Sequence, residues 1–402
     1  MFSTYSDHLF NIRQGEDWGW GGYLTAPVYL GVDLLRSVSR APMVWASMAM
    51  DEAKTSPVLS PVFDDKDAEQ VANDIDCRNK FGTASFDADV CKQMANKPVP
   101  DKFSITTGSD QRNGWDMALA GAQSLVTFPS RLIVAPVLDG VGTSSWNNML
   151  RRVSLLYHVD DEFHTDRSLS QSSRENDQLG LSRVPASGGL SRFMDKFIRK
   201  YGSDFKANPG DWEITLVGHS MGTIVLNEMI GDYGVIPNET LRRLIVVPEK
   251  DNAPLILPFK RIVYMASAST VRHYEDRVIP YLIQNECAQF YNLMLNRMAE
   301  IRETNALGLS PRGSLLVWID DFLSGPLTHR DKTLGRFDNF LVTVHDTPEA
   351  VKDRIHIKTF STGSPVKDKE PEAHGDFGNL KFWDDQCWEA YPANGRDCYR
   401  KD

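Results

Sequence analysis

The pentapeptide Gly218-His219-Ser220-Met221-Gly222 constrains this chain more than any other stretch. The run before it is apolar and β-branched, and Ile214, Leu216 and Val217 read as the last residues of a buried strand, Trp212 to Val217. After it, Met221, Ile224, Val225 and Met229 recur at helical spacing. A serine between a strand and a helix sits on a tight turn, and Gly218 and Gly222 are where a Cβ would collide with neighbouring backbone. Such a turn exposes the Ser220 hydroxyl and places the N–H groups of the helix start behind it. The bare pattern is common in Gly- and Ser-containing turns; the flanking strand and helix are what make it a site.

On the strand Trp212 to Val217, the pentapeptide, the helix after it and a later strand followed by a histidine, the chain resembles the α/β-hydrolase superfamily, and within it the lipases and esterases. The likeness covers roughly residues 130 to 385. It implies a mostly parallel central sheet covered by helices on both faces, with an N-terminal extension and lid-like insertions. The rest of the chain agrees with an α/β reading. Arg131 to Leu138, Arg261 to Met265, Phe290 to Leu295 and Arg354 to Phe360 read as strands, and Leu190 to Tyr201 is an amphipathic helix starting near Ser187 or Gly188.

The expected division is a polar, aromatic-armed region over 1–115 and a catalytic domain over 116–402. Residues 158–186 are too long and polar for an ordinary connection, so they read as a lid or a surface insertion. A net charge of −10 with no basic block argues against a nucleic-acid partner. No stretch reaches the roughly 18 apolar residues of a membrane span. Residues 18–38 come nearest, and they are expected either to pack on the body or to make a peripheral membrane contact. The start of the chain lacks the features of a secretory leader, whereas Cys77 with Cys91 and Cys387 with Cys398 have spacings suited to two local bridges. Of the two settings, the extracytoplasmic one is preferred to the cytoplasmic one. Cys287, within an apolar helical pattern, is expected to be buried.

A serine hydroxyl needs a base, and the base needs a carboxylate to orient it. The resemblance implies the chain order serine, acid, histidine, which removes His8, His158 and His164. His374, in a His-Gly-Asp-Phe loop after the last strand, is the expected base; His345 is the next choice. Glu300, just beyond Phe290 to Leu295, is the expected acid, with Asp320, Asp321 and Glu303 as rivals. The oxyanion hole is expected from the Met221 N–H and from the loop at Gly140, which lacks the His-Gly pair usual in the family. No metal or cofactor motif is present. The expected activity is hydrolysis of a carboxylic ester, preferably a lipid ester. Acyltransfer on the same machinery and non-catalytic lipid or partner binding are the alternatives.

Overall fold

The computed structural model describes residues 27–28, 31, 39–42, 44–46, 104–106, 134, 139–140, 142–143, 145–157, 188–234, 257–303, 312–343, 346–360, 371–384 and 386–389. Five strands form one parallel sheet in the order β1-β5-β4-β3-β2. They are β1 Ser104–Thr106, β2 Ile214–His219, β3 Phe259–Met265, β4 Gln289–Leu295 and β5 Ile355–Phe360. The helices used below are α1 Gly189–Ala207, α2 Gly222–Met229, α3 Ile279–Gln284, α4 Arg297–Arg302, α5 Leu315–Trp318 and α6 Phe337–Thr343.

The strands are apolar on both faces, as a sheet covered on both sides requires. Ile262 and Tyr264 of β3 join Phe290, Ile355 and Ile357 in one core, while Val263 and Met265 join Leu293, Leu295 and Phe360 in another. Met194, Ile198 and Phe205 of α1 fill the first core; Trp146 and Val153, from a helix over 145–156, fill the second. Side chains that small-residue strands could not bury alone are thus shared with helices on either side.

Helix α1 begins at Gly188, whose position offers no side-chain cap. Full burial of Met194, Ile198 and Phe205 at about 1.5–3 kcal/mol each outweighs the roughly 1 kcal/mol a cap contributes. The apolar stripe continues past Tyr201 to Phe205, which meets Trp212 edge-on at 4.8 Å, so the helix runs farther than predicted.

Two expectations are corrected. Val134, inside the predicted strand Arg131 to Leu138, is helical, as are 139–140 and 142–143; the other residues of that run lie outside the described ones. A short apolar run does not distinguish a strand from a buried helical turn. Strand β1, which lies before residue 116, pairs with β5 and so belongs to the sheet. Ala41 and Val44 are buried, and Arg40 bonds the buried Asp139 at 2.7 Å, so these three residues pack on the body. Of residues 18–38 only 27, 28 and 31 are described, and Val28 is exposed. Second, Cys287 is exposed in the turn between α3 and β4. Cys387 is disulfide-bonded. Cys77, Cys91, Cys398 and the 158–186 insertion lie outside the described residues.

Candidate active site

Ser220 follows β2 directly and takes φ 52°, a left-handed conformation that costs a non-glycine residue energy. The surroundings hold it there. Its N–H donates to the Met265 carbonyl at 2.9 Å, and its carbonyl accepts from Thr223 N at 3.1 Å, Thr223 Oγ1 at 2.6 Å and Ala268 N at 3.3 Å. Gly218 is required by the packing: a Cβ there would lie 2.8 Å from Leu226 Cδ1 and 3.0 Å from the α2 backbone. Gly222 has open space at its Cβ position, so only the first glycine of the motif is sterically demanded. The Met221 N–H, at the start of α2, makes no hydrogen bond to a described residue and is free to donate to a ligand.

His374, the expected base, has its Nε2 2.9 Å from Ser220 Oγ. It opens a short 3-10 helix, His374–Asn379, whose start is tied by Asp376 Oδ2 accepting from Glu372 N and Ala373 N. The imidazole is buried, and burial first, then His219, lowers its pKa to about 4. At neutral pH the ring is therefore an unprotonated base. For Nε2 to accept from Ser220, the ring proton must sit on Nδ1. Nδ1 is buried and has no hydrogen-bond partner among the described residues.

The backbone of His374 is clamped instead. His219 Nε2 donates to its carbonyl at 3.1 Å, with the two rings 5.3 Å apart, and its N–H donates to Glu303 Oε2 at 2.9 Å. His219 is a packed neighbour whose pKa burial pushes down, so it too is neutral. Glu303 is pushed up by burial, while the bond from His374 N–H draws it back down.

The expected acids go elsewhere. Glu300 is buried in α4 and accepts from Ser314 Oγ; burial pushes its pKa up to about 8. Asp320 accepts from Thr333 N at 2.8 Å, Thr333 Oγ1 at 3.2 Å, Asn339 Nδ2 at 2.8 Å and Arg336 Nη1 at 3.0 Å. No described contact joins Glu300, Asp320 or Asp321 to His374. Glu300 is turned to Ser314, and Asp320 to Thr333, Arg336 and Asn339. Gly140 lies in helical backbone and is buried, with no described contact to Ser220. The alternative base His345 lies outside the described residues. Sequence reading missed Thr223, Ser267 and Ser269, which lie behind the turn; the small residues Ala266 to Thr270 after a buried strand were a signal of close packing.

No protein-family model matches the chain, and neither a curated protein nor a solved structure matches it.

Proposed function

We propose that this chain is a serine hydrolase of α/β-hydrolase type that cleaves carboxylic esters through an acyl-enzyme. One observation carries the reading: a buried, neutral imidazole lies 2.9 Å from a serine hydroxyl held at positive φ between a parallel strand and a helix. In this reading Ser220 Oγ attacks the ester carbonyl as His374 Nε2 takes its proton, and the Met221 N–H stabilises the oxyanion. His374 then returns the proton to the leaving alcohol, and water repeats the sequence in reverse. Glu303 replaces Glu300 as the acid, since its carboxylate is already anchored on the His374 backbone and lies just past β4. A lipid ester is the preferred substrate. Phe382 and Trp383 are exposed just downstream of the His374 segment, where a long acyl chain could find an apolar surface.

A second reading is a non-catalytic lipid- or partner-binding protein. It draws on the unpartnered Nδ1 of His374, since an unoriented imidazole is a weak base. A fluorophosphonate probe separates the two. Covalent capture of the folded protein that disappears in Ser220→Ala is the expected result; no capture refutes the hydrolase reading. A p-nitrophenyl ester series from acetate to palmitate then reads the acyl preference.

A further inference from the structure

Behind the Ser220 turn lies a group of hydroxyls with no described contact to His374. Thr223, Ser267 and Ser269 are fully buried. Ser269 Oγ and Ser267 Oγ are 2.7 Å apart, Ser267 Oγ and Thr223 Oγ1 are 3.0 Å apart, and Thr223 Oγ1 lies 2.6 Å from the Ser220 carbonyl. Ser269 N also donates to Thr223 Oγ1 at 3.1 Å.

Proton counting leaves one arrangement. A carbonyl only accepts, so the Thr223 proton points at Ser220 O. Thr223 Oγ1 then accepts from Ser267, whose single proton is used, and Ser267 accepts from Ser269. The three hydroxyls form a one-way donor chain that ends on the backbone carbonyl of the nucleophile. Chains aligned in this way polarise each other, and full burial removes the competition of water. Their far end is fixed as well. The carbonyls of Ser267 and Ser269 accept from Gly335 N at 2.9 Å and Leu334 N at 2.8 Å. A Cβ on Gly335 would stand 2.2 Å from Ser267 N, so this backbone approach admits only glycine.

Resting on the hydrolase reading above, we infer that Thr223, Ser267 and Ser269 are positioning residues: their donor chain keeps the Ser220–Met221 peptide in its left-handed setting, so that Oγ faces His374 and the Met221 N–H faces the developing oxyanion. The peptide plane between residues 220 and 221 carries both groups, the Ser220 carbonyl and the Met221 N–H. Pulling on one end aims the other. A left-handed serine is a high-energy state of the free backbone. Without the chain, the plane has less to stop it from rotating, and a small misalignment of a reacting group costs far more rate than stability.

The test compares Thr223→Val, Thr223→Ser and Ser267→Ala with the wild type in full-length protein, by fluorophosphonate labelling rate and by kcat and KM on p-nitrophenyl butyrate. Thr223→Val keeps the shape and loses the donor; it is expected to lower kcat and labelling about tenfold or more, with KM within about twofold of wild type. Thr223→Ser, which restores the hydroxyl, should recover most of that loss. Ser267→Ala, which removes one link but leaves the Thr223 donor, should lower kcat about threefold to tenfold. A purely structural role predicts instead a lower melting temperature without rescue of kcat by serine. Wild-type rates in Thr223→Val overturn the inference, as does a Thr223→Ser protein no faster than Thr223→Val. If Thr223→Val does not fold, Ser267→Ala decides on the same kcat criterion. A wild type that the probe does not label at Ser220 removes the hydrolase reading itself, an outcome distinct from a labelled wild type with unaffected variants.

Discussion

The two sides of the site are built on opposite plans. On the β2–β3 side, Ser220 is held by bonds to both its backbone groups, and these come from residues close behind it: Met265, Thr223 and Ala268. On the β4–β5 side, His374 is held by its backbone alone, through His219 and Glu303, and its ring is fixed by packing and by one bond to Ser220. A nucleophile needs a fixed direction of attack. A base needs a fixed ring as well, and among the described residues the imidazole of His374 has one hydrogen bond, to Ser220 Oγ, and none at Nδ1, so packing and the anchored backbone are what hold it. The two plans imply different sensitivities. Changes on the β2–β3 side act on geometry, and those on the β4–β5 side act on protonation.

The largest expected effect abolishes the comparison. Ser220→Ala should cost roughly 10⁴-fold or more in kcat, and His374→Ala about the same, because residues acting as a unit give non-additive losses. Single and double variants assayed on one ester check this; a double variant much slower than either single variant would contradict the pairing. Next comes the acid. Glu303→Gln is expected to lower kcat about 10²-fold, within the usual range for general acid–base assistance, while Glu300→Gln should leave kcat within about twofold. Reversal of that order returns the role to α4.

The protonation side also predicts a pH profile. With its pKa lowered to about 4, His374 should hold activity well below the ordinary histidine range, with half the rate lost near pH 4. Between pH 6.5 and 4 the unfolded chain binds a proton at this residue that the folded one does not. Folding stability therefore falls as pH falls through that window, and initial rates must be read before unfolding.

The smallest effect concerns Glu300. Its folded pKa, pushed up to about 8, means that the native state keeps a proton that the unfolded state releases above about 4.5. Stability from this group is therefore full below pH 4.5 and is lost as pH rises to 8. Glu300→Gln should flatten the fall in melting temperature between pH 5 and 8, and an unchanged slope would show that the carboxyl is ionised in the fold.

What the sequence made legible follows the same division. The elbow is local: five consecutive residues, a strand before and a helix after, with spacing that only one turn satisfies. The neighbour of Ser220 was also accessible, because His374 follows the strand Ile355–Phe360 in a short Gly- and Asp-containing segment. The acid was not. Glu300 and Glu303 lie three positions apart on the exit from β4, and whether a carboxylate turns toward Ser314 or toward His374 depends on contacts with residues far along the chain. Asp320 misled for a related reason: its two oxygens organise Thr333, Arg336 and Asn339, a role that no local pattern announces. The edge strand β1 was missed because three polar-flanked residues show no alternation, and its existence rests on pairing with β5.

Gly335 has a consequence for the order in which the chain becomes reactive. The serine and its base are separated by 154 positions, and the backbone that props the elbow from behind arrives with Leu334 and Gly335. A growing chain that has released β2, β3 and β4 already contains the whole pentapeptide, yet its serine lacks both the prop at 334–335 and any base at 374. Contacts of such long range form late, after the sheet has closed. On the proposed serine-hydrolase reading the pentapeptide is therefore unreactive until residues 334–335 and 374 have joined it, and a chain cut between β5 and residue 374 should not be labelled at Ser220 by a fluorophosphonate.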